Sequence, residues 1–336
     1  MMHNIFSTSG QGAADDGPSA METLTRDRRR ATSPLFYECV WLDGELVPAE
    51  DAALRDQPGI FEEIRCYPTE RGPAIFRLEA HLQRFLQTAR SLGMGELRYN
   101  LLELRRAVHV TIHVNNLSAC TVRPILYVDR QPRQQQDRDQ YPAVAVVTNS
   151  RSTSGDAHSH PGGARLMVTA LDREERDRGT TREALQSRAT RITKARATAR
   201  RAGFEEAILT DHAGYVLDCT GDNLFLVRNG AVYTPPQAEN RHDVARHTAL
   251  TLLHDMGYPV TEGRISHDYL RRADEIFLCG TAGGVVSVRQ IDSRLLNDEQ
   301  PGPVTRRVQE LYAETTRGQG RRSRGWLEYV MMEPLF

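Results

Sequence analysis

Apolar and polar residues alternate in short runs from Phe36 onward, and this period of two is typical of half-buried β-strands. The run Y-E-C-V-W-L-D-G-E-L-V places an Asp-Gly pair between two such segments, which predicts a hairpin. Further runs that predict strands are I-F-E-E-I-R-C-Y, P-A-I-F-R-L, V-R-P-I-L-Y-V, A-V-A-V-V and L-M-V-T-A-L. Short strands therefore recur through both halves of the chain.

Other stretches carry apolar residues at helical spacing. The clearest of them predicts a helix from the positions Leu78, His81, Leu82, Phe85, Ala89 and Leu92. Further helices are predicted from about Glu96 to about Asn115 and around 183–202, 244–257 and 303–316. Because strands and helices alternate irregularly, the pattern predicts an α+β fold in two sub-domains.

Changes in composition along the 336 residues indicate where the sub-domains begin and end. Residues 1–35 have the composition of a disordered N-terminal tail. A small N-terminal α+β sub-domain is predicted over 36–150, and an inter-domain linker over 151–163. A large C-terminal sub-domain is predicted over 164–330, followed by a C-terminal tail at 331–336.

Composition excludes several classes of partner. The net charge is −1, so no basic excess indicates nucleic-acid binding. No apolar run is long enough to cross a membrane, and five scattered cysteines favour reduced thiols and a cytoplasmic location. The segment H-S-H-P at 158–161 could hold a metal, but two histidines in a linker are more often solvated, so no metal site is predicted.

A series of motifs resembles the fold-type IV pyridoxal-phosphate enzymes, most closely the branched-chain aminotransferases. The motifs are, in chain order, W-L-D-G-E-L-V, F-E-E-I-R-C-Y, H-L-Q-R, V-R-P-I-L, R-A-G-F-E-E-A-I-L-T-D, Y-V-L-D-C-T-G-D-N-L-F-L-V, C-G-T-A-G-G and G-W-L-E-Y-V. The resemblance implies a homodimer whose active site lies between two sub-domains. It also implies a cofactor held as a Schiff base to one lysine.

Several positions match functional residues of that family. Arg84 in H-L-Q-R matches the arginine that binds the cofactor phosphate, and Thr281 in C-G-T-A matches a second phosphate-binding residue. Arg123 in V-R-P matches an arginine near the substrate carboxylate in some members. Asp218 stands in place of the glutamate that pairs with the pyridine nitrogen. The resemblance therefore implies a cleft with arginines for an anionic ligand.

Other positions depart from the family. Ala184 occupies the position of the family lysine, and Ala189 that of a tyrosine that touches the cofactor. The phosphate-binding turn reads Asp243, Val244, Ala245, and the segment before F-E-E-I-R is about seven residues short. One lysine, Lys194, stands against 42 arginines. It lies ten residues beyond Ala184, about 15 Å and about 280° away along a helix, which predicts an exposed side chain.

These departures lead to the expectation that no pyridoxal-phosphate cofactor is used. The expected ligand-binding residues of the former cofactor pocket are Arg84, Thr281, Arg123, Asp243 and Ala245, with Arg241 and His242 nearby. Asp218 is expected to move a proton in a cyclisation, isomerisation, elimination or dehydration of an anionic small molecule in specialised metabolism. Two alternatives remain open: a pyridoxal-phosphate enzyme with atypical cofactor binding, and a non-catalytic protein that binds a ligand or an active homologue.

Overall fold

The computed structural model of the chain describes residues 38–52, 59–95, 97–127, 142–150, 162–170, 182–237 and 243–330, with the backbone alone over 182–189. The predicted tails at 1–35 and 331–336 lie outside these residues. So do all but the last two residues of the predicted linker 151–163, the shortened segment 53–58 and the positions 241 and 242.

The first sheet contains most of the strands from the N-terminal half. Its strands are β1 (Cys39–Leu42), β2 (Glu45–Pro48), β3 (Gly59–Phe61), β4 (Ile64–Thr69), β5 (Gly72–Phe76), β6 (Cys120–Tyr127) and β7 (Ala143–Ser150). A last strand, β17 (Leu327–Tyr329), joins it, and the described order is β17-β5-β4-β6-β7-β1-β2 with β3 paired to β6. The predicted Asp43-Gly44 hairpin forms between β1 and β2.

Two helices cover one face of this sheet, α1 (Leu78–Ser91) and α2 (Leu101–Val114). The buried side chains of Leu82 and Phe85 from α1 and Ile112 from α2 pack against Ile64 and Val122 of the strands. Each of these five residues is at most 1% exposed, so the layer between helices and sheet is a closed hydrophobic core.

The second sheet contains the strands that follow in the chain. They are β8 (Ala164–Ala170), β9 (Glu206–Thr210), β10 (Val216–Cys219), β11 (Asn223–Arg228), β12 (Ala231–Thr234), β13 (Val260–Glu262), β14 (Glu275–Gly280), β15 (Gly284–Ile291) and β16 (Arg294–Leu295). The described order is β10-β9-β8-β15-β14-β11-β12-β13, with β16 paired to β15. The helices of this half are α3 (Arg182–Arg201), α4 (Val244–Asp255), α5 (His267–Leu270), α6 (Pro303–Thr316) and α7 (Ser323–Trp326).

The end of the chain ties the two halves together. Residue 327 was predicted to lie in the C-terminal sub-domain, but β17 pairs with β5 of the first sheet, with Leu327 opposite Phe76. The Arg77 backbone N–H donates to the Trp326 carbonyl over 2.7 Å, at a left-handed residue with φ of 53° that directly precedes α1. The α+β fold predicted from the sequence is confirmed. Within the described ranges, no helix is long and apolar enough to cross a membrane.

Candidate functional site

The face of the first sheet opposite α1 and α2 forms one wall of a cleft. Ile64 pairs with Val122 in the antiparallel register, and both point into the core beneath the helices. Because neighbouring residues of a strand point to opposite faces, Arg65 and Arg123 lie on the other face. The Arg65 guanidinium donates to the carbonyl of Ala282, which lies 217 residues away in the second sub-domain. This contact places the turn after β14 against the wall formed by β4 and β6.

Arg84 reaches the cleft from α1 and is fixed by a buried carboxylate. Its Nε donates to Glu62 Oε2 over 3.0 Å, and its Nη2 also donates to Glu62. His81 Nδ1 lies 2.7 Å from Glu62 Oε1. Burial disfavours the charge on Glu62, but the Arg84 cation and the hydrogen bonds from His81 and Arg84 outweigh it and hold the pKa of Glu62 below its ordinary value. Glu62 therefore stays ionised and orients Arg84.

The start of α4 faces Arg84 across the cleft. Asp243 is the N-cap residue of α4, and its Oδ1 accepts from the Arg246 backbone N–H over 3.0 Å. Its other oxygen, Oδ2, lies 3.6 Å from Arg84 Nη1. The next turn of α4 contacts β14, because Cys279 Sγ donates to the Ala245 carbonyl over 3.2 Å. The expected ligand-binding positions Arg84, Asp243 and Ala245 are thus close together.

Thr281 and Arg123 lie on opposite walls. Thr281 is half-buried and directly follows β14, next to the Ala282 carbonyl that accepts from Arg65. Arg123 forms an ion pair with Glu63, with 2.8 Å between its Nη2 and Glu63 Oε2, and its guanidinium lies 5.5 Å from the centre of the Phe61 ring. The two acids in F-E-E-I-R were the available signal for these arginine partners, and the sequence analysis did not use it.

Asp218 lies on β10 at an irregular point of the sheet. Val216 pairs with Thr210 and Asp218 with Leu209, so Leu217 is an extra residue that forms a β-bulge. The half-buried Asp218 carboxylate accepts from the Cys219 backbone N–H over 3.0 Å. Its negative charge also acts on Asp222, four residues along the same segment.

Asp222 is the acid that the sequence analysis missed. Burial raises the pKa of Asp222 to about 7, and the negative charges of Glu206, Asp243 and Asp218 add to the rise while Arg196 opposes it. It is the second acid in the segment D-C-T-G-D, a signal that was present in the sequence. Asp222 is a carboxyl group able to hold a proton at neutral pH within the candidate site.

The two positions that decide covalent cofactor chemistry both lie on α3. Ala184 is in the first turn of this helix, where the structure describes the backbone only. Lys194 is exposed, as predicted, and its carbonyl accepts from the Thr198 hydroxyl over 3.0 Å. Helix α3 faces β9 through Ile192 and Ala199, which pack with Leu209. The only lysine of the chain therefore points to solvent.

The fold and these residues agree with comparisons to known proteins. The family Amino-transferase class IV matches residues 59–291. The chain belongs to this family. It is 29% identical to the branched-chain-amino-acid aminotransferase of Pseudomonas aeruginosa, over 87% of this chain and 97% of that protein. It is 30% identical to the Salmonella typhimurium enzyme of the same name, again over 87% and 97%.

A solved structure corrects the expectation about the cofactor. A branched-chain amino acid aminotransferase from the source abbreviated T.th., solved with pyridoxamine 5′-phosphate, superposes on this class IV protein with a TM-score of 0.76 and 31% identity, covering 88% of this chain and 99% of that one. The expectation that no cofactor of the pyridoxal-phosphate type is used is wrong on this finding. Substitutions at single motif positions were given too much weight against a likeness that extends over nearly the whole chain.

The described residues fit the phosphate end of such a cofactor. Arg84 is partly exposed, with 24% of its side chain accessible, and Thr281 supplies a hydroxyl. The N–H groups of Val244 and Ala245 belong to the first turn of a twelve-residue helix, where backbone donors and the helix dipole favour an anion. The Asp243 carboxylate is an unfavourable group within this donor set. The covalent end differs, because Lys194 is exposed.

Proposed function

We propose that this class IV protein is an enzyme that binds pyridoxal phosphate without a covalent bond to lysine. The observation that carries the proposal is the position of Lys194, exposed on α3, while Arg84 and the start of α4 face each other 3.6 Å apart. A lysine amine must reach the ligand to bond with it, whereas an arginine and a helix N-terminus hold a phosphate without covalent chemistry.

The cofactor supplies an electron-withdrawing ring when it is bound. The chain's own residues supply the rest. Arg84, oriented by Glu62, and the N-terminus of α4 bind the phosphate. Asp218 is the carboxylate proposed to face the ring nitrogen. The ion pair Arg123–Glu63 lies on the cleft wall and supports a small substrate that carries a carboxylate.

The substrate is proposed to be an anionic small molecule, and branched-chain amino acids are not expected to be transaminated. Lysine is the side chain that holds and activates the cofactor in the relatives that the motifs resemble, and here position 184 is alanine. Turnover of leucine, isoleucine or valine with 2-oxoglutarate should therefore be at background for the wild-type protein. Measurable turnover that is lost in Arg84→Ala would contradict this proposal.

The binding mode is tested by reduction and mass spectrometry. Purified protein is mixed with pyridoxal phosphate, treated with borohydride and digested, and in parallel the mixture is dialysed. We expect the ligand to be removed by dialysis and no adduct to form on Lys194. Lys194→Arg should bind as the wild type does, Arg84→Ala should bind weakly, and Ala184→Lys should form an adduct at residue 184. An adduct on Lys194 of the wild type sinks the proposal.

A further inference from the structure

The Asp222 carboxyl group is packed against the backbone beside the cleft. Asp222 is 9% exposed, and a Cβ added at Gly280 would collide with its Oδ1. The carboxyl group therefore lies over the last residue of β14, immediately before Thr281. Only a glycine at position 280 leaves room for it.

More acids than cations surround Asp222. The acids that face it are Glu206 of β9, Asp218 of β10 and Asp243 at the start of α4. The thiols of Cys219 on β10 and Cys279 on β14 lie on its other sides, and both are kept neutral because burial raises their pKa well above the ordinary value. The cation that acts on Asp222 is Arg196 of α3.

Arg196 is already committed to another carboxylate. Its Nε donates to Glu206 Oε2 over 2.9 Å, and its Nη2 donates to the Thr220 carbonyl. The Thr220 hydroxyl also donates to Glu206 Oε2, over 2.5 Å. Glu206 is 1% exposed, and its Oε1 has no hydrogen-bond partner among the described residues. One guanidinium thus compensates one carboxylate, and a second buried charge at Asp222 would be uncompensated.

We propose that Asp222 holds a proton at neutral pH beside the phosphate end of the cleft, and that losing this proton weakens the binding of an anionic ligand. The inference rests on the proposed function, because it assumes that the phosphate of the ligand lies near Thr281 and the start of α4. Asp222 is a positioning residue in this proposal, since it acts through the charge of the site and need not touch the ligand.

The physical reason is charge repulsion in a buried place. Below about pH 7 Asp222 is neutral, and above it the carboxylate adds a negative charge next to the one already present on Asp243. A charge at about 8 Å in an intermediate dielectric changes an anion's affinity by about tenfold or more. The affinity for pyridoxal phosphate should therefore fall as the pH rises through neutrality.

The first arm of the test measures affinity for pyridoxal phosphate by equilibrium dialysis at about pH 6.5 and about pH 8.5. Asp222→Asn keeps the shape of the carboxyl group and mimics its neutral form. We expect wild-type affinity to fall about tenfold more than that of Asp222→Asn between the two pH values, and the ligand's own titration cancels in this ratio. Asp218→Asn is the matched control and should keep the wild-type pH dependence. Parallel profiles for wild type and Asp222→Asn would overturn the proposal.

The second arm needs no ligand and separates this inference from the proposed function. Because the folded pKa of Asp222 is raised from 3.8 to about 7, wild-type stability should be lost relative to Asp222→Asn as the pH rises from about 4 to about 7, and the gap should then stay constant. We expect a difference of several degrees in melting temperature. If pyridoxal phosphate fails to bind at every pH while this gap appears, the proposed function fails and the buried proton stands.

A third measurement covers the case in which Asp222→Asn does not fold. Infrared spectroscopy of the wild-type protein should show a protonated-carboxyl band at pH 6 that disappears by about pH 9. If no such band is present at pH 6, Asp222 is ionised there and the proposal is overturned without any variant.

Discussion

At the scale of single residues, the cleft arginines are each matched by an acid from one dipeptide. Glu62 orients Arg84 and Glu63 pairs with Arg123, so two neighbouring carboxylates set the positions of two cations on different elements. The sequence analysis identified both arginines from motif context. It could not assign their partners, because the kink between β3 and β4 directs Glu62 toward α1 and Glu63 toward β6, and this depends on tertiary packing.

The first prediction concerns Glu62. Glu62→Gln should lower the free energy of unfolding by about 2 kcal/mol at pH 7, because it removes the charge that both His81 and Arg84 contact. The folded pKa of Glu62 is depressed below 4.5, so its stabilisation is present above that pH and is lost as the pH falls through the folded pKa. Urea unfolding at pH 7 and at about pH 3.5 measures both effects.

The difference between wild type and Glu62→Gln should shrink at the lower pH. Glu79→Gln, an exposed acid on the same helix, is the control and should change stability by less than about 0.5 kcal/mol. An equal loss at both pH values would show that Glu62 acts by packing and not by its charge.

The second prediction concerns Asp243, the acid among the phosphate donors. Asp243→Asn keeps the N-cap acceptor for the Arg246 N–H but removes the charge that lies 3.6 Å from Arg84. Asparagine caps helices as well as aspartate does, so stability should change by less than about 0.5 kcal/mol. Affinity for pyridoxal phosphate should rise about tenfold, measured by equilibrium dialysis at pH 7.

Asp243→Ala is the comparison that separates the two roles of Asp243. It should also bind the ligand more tightly, but it should cost about 1 kcal/mol of stability because the cap is lost. Weaker binding by Asp243→Asn would mean that the carboxylate contributes to the site through Arg84 and does not oppose the ligand.

At the scale of elements, sequence periodicity predicted local structure well and boundaries less well. Helix α1 matches its apolar spacing, but α2 begins at Leu101 and not near Glu96. The reason is local hydrogen bonding: Asn100 accepts from the Leu102 and Glu103 backbones, and the Glu103 carboxylate accepts from Asn100 N–H. The bulge at Leu217 was not predicted, because it depends on pairing between β9 and β10.

The third prediction tests this capping box. Asn100→Ala should lower the free energy of unfolding by about 1 kcal/mol, because the first N–H groups of α2 lose their acceptor. Denaturant unfolding measures the change. Leu102→Ala, at a neighbouring exposed position of the same turn, should have a much smaller effect. Equal losses in the two variants would mean that the cap does not hold the start of α2.

At the scale of the whole molecule, the candidate site depends on contacts between distant parts of the chain. Arg65 reaches Ala282, and the hydroxyls of Tyr67 and Tyr312 lie 3.2 Å apart. The motifs identified residues on both sides of the cleft, since each motif is local. The acid Asp222 was missed because its raised pKa arises from burial and from Glu206, Arg196 and Asp243, which three separate elements bring together.

The final prediction is that the protein is a homodimer, joined through the first-sheet face that α1 and α2 leave uncovered. That face carries partly buried Leu42, Val47, Phe61 and Val147 around a small cluster of buried residues. Specific interfaces bury about 1,200 Å² or more, which a sheet face of this kind can supply. Light scattering at micromolar concentration should give twice the chain mass of 37.8 kDa.

Two variants on the edge strand β2 locate the interface. Val47 pairs with Val40 and lies on the uncovered face, whereas Leu46 pairs with Trp41 and lies on the face of the helices. Val47→Glu should therefore shift the mass toward 37.8 kDa with unchanged circular dichroism, because a charge buried between subunits is costly. Leu46→Glu, at a position that is already 41% exposed, should remain dimeric. A monomeric wild-type protein, or dissociation by Leu46→Glu alone, would place any contact between copies elsewhere.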